Sequence, residues 1–129
     1  MSQVLVIEDH EHLAYLLKYM LDRAGFACTT LSDGRMATDH ITRESPPAAV
    51  VLDLMLPYVD GFELLALMRA HPGWKSVPVI ILSARTAETD IVRALEAGAD
   101  DFVRKPYKPR ELLARVQRAI SRDENAAAL

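Results

Sequence analysis

The sequence has 129 residues, half of them hydrophobic, a formal net charge of -3 and a single cysteine, Cys28. These values suit one globular domain, and they exclude an intrinsically disordered chain, an internal disulfide and the basic surface of a nucleic-acid-binding module. No apolar stretch is long enough to span a bilayer and the amino terminus lacks a signal-peptide pattern, so we expect a cytoplasmic protein without membrane contact.

Short apolar runs alternate with longer segments of helical periodicity. QVLVIED (residues 3–9) predicts a first strand, and regularly spaced leucines and a methionine between Leu13 and Leu21 predict a helix that ends at Gly25. FACTTL (residues 26–31) predicts a weaker strand near a sheet edge, followed by a helix over about Arg35 to Glu44. The leucine and methionine stripes are predicted core, as is Cys28.

The second half repeats this alternation. AAVVLD (residues 48–53) and VPVIILSA (residues 77–84) predict strands buried on both faces, and Asp60 with Glu63 resembles a capping box that begins a helix over residues 61–70. Trp74, in the loop HPGWKSVP, is predicted to be partly exposed.

Three further elements complete the chain. A helix through Ile91, Ala94 and Leu95 ends at Gly98, DFVRK (residues 101–105) predicts a fifth strand, and Pro109 begins a last helix to about Arg122. Five such units predict an α/β fold with a doubly wound parallel sheet covered by helices on both faces.

Parallel sheets of this kind bind ligands at the carboxyl ends of their strands, where this sequence has Glu8, Asp9, Asp53, Ser83 and Lys105. Three carboxylates in close proximity repel one another unless a cation intervenes, and magnesium, or manganese in its place, is the expected ion. Beside such an ion Asp53 can attack phosphorus to form an acyl phosphate, while Lys105 neutralises charge on the transferred group. Pro106 favours an extended backbone at Lys105 and permits a cis peptide bond.

Two histidines follow the acidic pair. His10 and His12 are two residues apart at a helix start and point in different directions, so we expect neither to be a metal ligand.

The stretches IEDH, LDLMLPYVDG, ILSA and GADDFVRKPY together resemble the receiver domain of two-component response regulators, over about Gln3 to Ser121. The resemblance implies the strand order 2-1-3-4-5 and a domain over residues 1–122. It also implies magnesium ligation by Glu8, Asp9, Asp53 and the backbone carbonyl of Met55.

The resemblance further implies a signalling switch and not an enzyme. A phosphohistidine of a sensor histidine kinase phosphorylates Asp53, the Ser83 hydroxyl moves to the phosphoryl group, and the aromatic residue Phe102 rotates inward. Phe102 stands where the family often has tyrosine, so packing must carry the switch. Met55 and Arg85, each two residues past a site residue, are expected to flank the phosphoryl group and tune its lifetime.

LMLP, ARTAETDIVRALEAGADDF and KPRELLARV are closest to OmpR/PhoB-type receivers, which pair on phosphorylation through the fourth helix, fifth strand and fifth helix. The matching apolar positions and surrounding charges are Val92, Leu95, Leu113, Asp100, Asp101, Arg115 and Arg118. Ala87 and Ile91 replace basic residues that would face Glu111, so a weak homodimer is expected. The implied output is a DNA-binding domain beyond this chain; a stand-alone receiver or a cyclase-type regulator stays an alternative.

Two other classes use related folds. A haloacid dehalogenase-type phosphohydrolase needs a second acid two residues after its nucleophile, where this chain has Met55. A flavodoxin-like module needs a hydroxyl- and glycine-rich phosphate loop, where this chain has the acidic EDHEH.

The carboxyl-terminal residues 123–129 are expected to be the start of a linker plus cloning-derived residues. The final NAAAL matches what a common cloning junction encodes before a purification tag, which assigns Ala126 to Leu129 to that junction.

Overall fold

The computed structural model describes residues 2–128, within which five strands alternate with five helices. In chain order they are β1 (Gln3–Ile7), α1 (Glu11–Arg23), β2 (Ala27–Leu31), α2 (Gly34–Arg43), β3 (Ala49–Asp53), α3 (Gly61–Ala70), β4 (Val79–Ser83), α4 (Glu88–Glu96), β5 (Asp101–Arg104) and α5 (Pro109–Ala128). All strand pairs are parallel and the order is β2-β1-β3-β4-β5. The predicted α/β fold and strand order are confirmed, and β2 lies at an edge as expected.

Helix boundaries follow local signals in the sequence. The Asp60 carboxylate accepts the Glu63 backbone N–H at 3.0 Å and begins α3 as predicted. Gly25 adopts a φ of 96° just after α1, a conformation that favours glycine.

The sheet separates two hydrophobic layers. Leu5, Ile7 and Leu52 point toward α2 and α3, whereas Val4, Val6 and Val51 point toward α1 and α5. Every residue of β3 and β4 is buried, as the continuous apolar runs predict. Cys28 is buried in the second layer as predicted, and burial raises the pKa of its thiol to about 11.

The prediction for Trp74 was wrong. Its side chain is fully buried in the layer of α2 and α3, its ring lies 6.1 Å from the His40 ring, and its indole N–H donates to the Glu44 carbonyl at 3.4 Å. The connection between α3 and β4 folds under the amino end of the sheet, so the large apolar side chain seals the core there.

Two helical patterns also differ from expectation. Leu17 and Leu21 of the α1 stripe are buried, but Leu16 is 44% exposed because the stripe is wider than the face that meets the sheet. Helix α5 continues past Arg122 to Ala128, since no glycine or proline interrupts it. Residues 121–126 are exposed, and Leu129 of the predicted cloning-derived segment lies outside the described residues.

Across residues 2–128, none of the helices combines the length and apolar character that crossing a membrane requires.

Candidate functional site

Four strand ends meet at the carboxyl edge of the sheet. Glu8 and Asp9 follow β1, Asp53 ends β3, Ser83 ends β4 and Lys105 follows β5. Because these strands are neighbours in the order β1-β3-β4-β5, the topology brings the polar residues together as predicted.

Lys105 joins two buried carboxylates. Its Nζ lies 2.7 Å from Glu8 Oε1 and 3.0 Å from Asp53 Oδ2, and the two carboxylates are only 1% and 4% exposed as residues. The Lys105–Pro106 peptide bond is cis. The Lys105 ammonium offsets the charge of the two buried carboxylates, because an unpaired charge is costly to remove from water.

The two partners in this contact shift each other's protonation. Burial raises the pKa of the Glu8 carboxyl, Lys105 opposes this rise, and the nearby Asp53 adds to it. Burial alone would lower the pKa of Lys105, but its bonds to Glu8 and Asp53 outweigh that cost and raise it. Lys105 therefore stays charged at neutral pH.

The loop after β3 fixes the other oxygen of Asp53. The Met55 backbone N–H donates to Asp53 Oδ1 at 3.0 Å, while the Met55 side chain is 55% exposed. The aspartate is thus held at both oxygens, and an exposed thioether borders it.

The acidic residues are arranged to accept a cation. Ligand atoms of Glu8, Asp9, His10 and Asp53 all lie within 4.8 Å of one another. Asp9 Oδ1 is buried and has no hydrogen-bond partner among the residues that the structure describes. Carboxylate oxygens gathered in this way, one of them unpartnered, fit a hard divalent ion such as magnesium.

Sequence reasoning set His10 aside, but the structure places it beside this cluster. Its Nδ1 lies 3.4 Å from Glu8 Oε2 and 3.4 Å from Asp9 Oδ1, and its backbone N–H donates to Glu8 Oε2 at 3.3 Å. His10 is the residue immediately before α1 and has an extended backbone conformation, with φ -77° and ψ 106°. His10 is nevertheless 67% exposed, and His12 is exposed as well.

Ser83 is fully buried, and its Oγ accepts the Arg85 backbone N–H at 3.0 Å. The predicted neighbour of the phosphoryl group, Arg85, has its guanidinium on Asp90 of α4, with Nη2 2.7 Å from Asp90 Oδ1. The loop between β4 and α4 is therefore tied to α4 through this ion pair. Phe102 is half-buried and packs against the layer of α2 and α3.

The predicted dimer face contains exposed apolar residues and charged residues that form ion pairs within the same chain. Val92 and Leu95 are 42% and 47% exposed on α4, and Leu113 is half-buried on α5. Asp101 accepts from Arg115 at 2.9 Å and lies 3.6 Å from Arg118 within the same chain.

Asp100 has a different role from its neighbour. Its Oδ2 accepts the Val79 backbone N–H at 2.8 Å and an Arg69 N–H at 3.1 Å, so it is engaged inside the subunit. The Arg69 guanidinium also donates to the carbonyls of Gly98 and Val77, at 2.6 and 2.8 Å. No sequence signal pointed to Arg69, because its partners are mainly backbone carbonyls.

Comparison with known proteins agrees with this geometry. Residues 4–117 match the family described as response regulator receiver domain. The DNA-binding response regulator MtrA of Mycolicibacterium smegmatis is 41% identical over 98% of this chain and 54% of its own length. The alkaline phosphatase synthesis transcriptional regulatory protein PhoP of Bacillus subtilis is 41% identical over 98% and 51%.

Solved structures agree as well. The receiver domain of a sensor histidine kinase from Pseudomonas aeruginosa, with a magnesium ion coordinated in its active-site cleft, has a TM-score of 0.84 and 31% identity, covering 93% of this chain and 98% of that one. The chain spans about half the length of the curated relatives it matches. With the fold, the acidic cleft and the family match in agreement, this chain belongs to the response regulator receiver domains.

Proposed function

We propose that this domain is a phosphorylation-activated switch in which Asp53 accepts a phosphoryl group from a sensor histidine kinase. As a receiver domain, the chain is a phosphoacceptor rather than an enzyme. The observation that carries the proposal is the buried Asp53 carboxylate held by Lys105 Nζ at 3.0 Å beside the unpartnered Asp9 Oδ1.

The residues have distinct roles in the transfer. An Asp53 oxygen attacks phosphorus, the bond between phosphorus and the donor imidazole nitrogen breaks, and its electron pair leaves with the imidazole. The Lys105 ammonium neutralises the Asp53 carboxylate before the transfer and the phosphoryl oxygens during it. Glu8, Asp9, Asp53 and the Met55 carbonyl would hold magnesium, or manganese in its place, which when bound neutralises phosphoryl charge.

A groove beside Lys105 supports a protein as the phosphodonor. Residues of α1 and of the segment before α5 enclose a largely apolar cavity of about 670 Å³ lined by Leu13, Leu16, Tyr19, Met20, Ala84, Lys105, Pro106, Tyr107 and Pro109. Leu16 and Tyr19 are 44% and 53% exposed, more apolar surface than α1 needs for its own packing. A kinase that brings phosphohistidine to Asp53 would cover this groove.

Phosphorylation then changes the loop between β4 and α4. Ser83 Oγ accepts the Arg85 N–H, so its own proton is available for a phosphoryl oxygen. Movement of Ser83 would open space for Phe102, which already packs against the layer of α2 and α3. The phosphoryl dianion would also compete with Asp90 for Arg85, and Arg85 with Met55 would then set the phosphoryl lifetime.

After phosphorylation, two copies of the domain would form a homodimer through the surface of α4, β5 and α5. Val92, Leu95 and Leu113 supply an apolar centre, and Asp101, Arg115 and Arg118 supply charges of both signs, as a two-fold interface requires. The similarity to DNA-binding regulators such as MtrA supports a transcriptional output in the rest of the protein, rather than a stand-alone or cyclase-type receiver.

The test is intact-mass analysis after incubation with acetyl phosphate and magnesium. The wild type should gain the mass of one phosphoryl group, and Asp53→Asn should gain none. Asp60→Asn, which alters an exposed capping aspartate of α3, is the matched control and should be labelled like the wild type. Equal labelling of wild type and Asp53→Asn would overturn the assignment.

A further inference from the structure

We propose that His10 is a metal ligand, and that its imidazole raises the affinity of the acidic cleft for zinc, cobalt or nickel(II) far more than its affinity for magnesium. The inference rests on the proposed function, because it concerns the ion held by that same cleft.

The distances support direct ligation. His10 Nδ1 belongs to the group of ligand atoms of Glu8, Asp9 and Asp53 that lie within 4.8 Å of one another. Bonds from zinc to imidazole nitrogen or carboxylate oxygen are about 2.0–2.2 Å long, so donors on opposite sides of an ion are about 4.2 Å apart. These atoms therefore need to move only slightly to enclose one ion.

The ring and Lys105 use different oxygens of the same carboxylate. Lys105 Nζ contacts Glu8 Oε1, whereas His10 Nδ1 lies 3.4 Å from Glu8 Oε2. The same nitrogen lies 3.4 Å from Asp9 Oδ1, the buried oxygen with no hydrogen-bond partner in residues 2–128. An ion between His10 and these two oxygens would leave the Lys105 contacts with Glu8 and Asp53 in place.

The donor set determines the preferred ion. Magnesium takes oxygen ligands and keeps several waters, so an imidazole adds little to its binding. Imidazole nitrogen suits the borderline ions of the first transition row, whose affinity for such sites rises toward nickel and copper. The ring would bind through an unprotonated Nδ1 and carry its proton on Nε2.

A positioning role for His10 is the competing explanation. Its backbone N–H and its ring both contact Glu8 Oε2, so His10 could orient Glu8 without touching the ion. A positioning residue would affect all ions alike, because every ion uses Glu8. A ligand would affect the ions that favour nitrogen far more than magnesium.

Cobalt(II) titration by visible absorption separates these roles, with magnesium affinity measured by competition in the same samples. The variants are His10→Asn, which keeps an amide donor near Glu8 but removes the imidazole, and His12→Asn, which alters the exposed second histidine as the control. We expect His10→Asn to weaken cobalt binding by about tenfold to 100-fold, to change the cobalt absorption bands, and to alter magnesium binding less than twofold. His12→Asn should match the wild type.

Either of two results would overturn the inference: an equal loss for both ions in His10→Asn, or unchanged cobalt bands in that variant. Failure of the proposed function has a different signature, since wild type and Asp53→Asn would then be labelled equally by acetyl phosphate whatever the cobalt titration shows.

Discussion

The two ends of the parallel sheet contain polar clusters of opposite character. At the amino end, Arg69 is surrounded by acceptors: the carbonyls of Gly98 and Val77 and the carboxylate of Asp100. At the carboxyl end, Lys105 faces the carboxylates of Glu8 and Asp53, with Asp9 close by and one of its oxygens unpartnered. The first cluster is satisfied within the subunit, whereas the second retains excess negative charge.

This difference separates a structural cluster from a functional one. A satisfied buried network fixes one conformation, because moving any member leaves another without a partner. Gly98 packs closely against this network. Its φ is 105°, and a Cβ there would lie 2.9 Å from Arg69 Nε, so a larger residue would displace the guanidinium. The carboxyl end is the proposed site of a cation and a phosphoryl group, and binding of either would shift its conformation.

The largest expected effect is at the amino end. Arg69→Met should lower the free energy of unfolding by about 3 kcal/mol, because it leaves carbonyls and the Asp100 carboxylate without their donor. Arg104→Met, which alters an exposed arginine of β5, is the control and should change it by less than about 0.5 kcal/mol. Urea unfolding followed by circular dichroism measures both. Equal effects would show that the Arg69 network is not structural.

A smaller effect, and one that magnesium reverses, is expected at the carboxyl end. Lys105→Met should destabilise the metal-free protein by about 2 kcal/mol, since Glu8 and Asp53 then repel each other without a cation. Saturating magnesium should restore most of this loss, and it should restore nothing in Arg69→Met. Lys108→Met, at an exposed lysine, should behave like the wild type. If magnesium restores the free energy of unfolding of both Lys105→Met and Arg69→Met, or of neither, the proposed difference between the two clusters is wrong.

Phosphoryl lifetime is the next test of the carboxyl end. Met55→Asn combined with Arg85→Glu should shorten the lifetime of phosphorylated Asp53 about tenfold, or about 1.4 kcal/mol in barrier, because the new side chains can orient an attacking water. The decay is followed by intact mass after removal of the phosphodonor. Met36→Asn, at an exposed methionine of α2, should not change it. An unchanged or slower decay in the double variant would contradict the role of these two positions.

The smallest effect concerns Asp101. Its neighbour Asp100 is 50% exposed and bonded to Arg69, whereas Asp101 is 19% exposed and pairs with Arg115 and Arg118 of α5. With beryllofluoride, a phosphoryl mimic, sedimentation should show a weak dimer that Asp101→Arg disrupts, although each exposed ion pair contributes only about 0 to 1 kcal/mol. Asp39→Arg, on α2, should leave the dimer intact. A monomer at high micromolar concentration in both states would refute the pairing, as would a dimer indifferent to Asp101→Arg.

Much of this architecture follows from local sequence patterns. The strands were predictable because continuous apolar runs such as AAVVLD suit a sheet buried on both faces, and topology then brings their polar ends together. The sequence alone therefore predicts Asp53, Ser83 and Lys105 at one edge of the sheet. The switch roles of Ser83 and Phe102 remain predictions, as does the boundary near residue 122.

Contacts between distant segments were not predictable in the same way. The burial of Trp74 depends on how a loop folds under the sheet, and the role of Arg69 depends on carbonyl groups that every sequence possesses. The position of His10 depends on the backbone between β1 and α1, where helical periodicity does not yet apply. Patterns of side-chain type thus predict elements well and long-range polar contacts poorly.

The buried Trp74 also determines what optical measurements on this protein can report. It is the single tryptophan of the chain, and it lies in the connection between α3 and β4 at the amino end of the sheet, away from Asp53 at the carboxyl end. Its fluorescence will follow loss of the core on unfolding, but it will respond weakly to events at Asp53. A tryptophan introduced at Tyr107, beside Lys105 on the apolar groove, would give the carboxyl end its own signal.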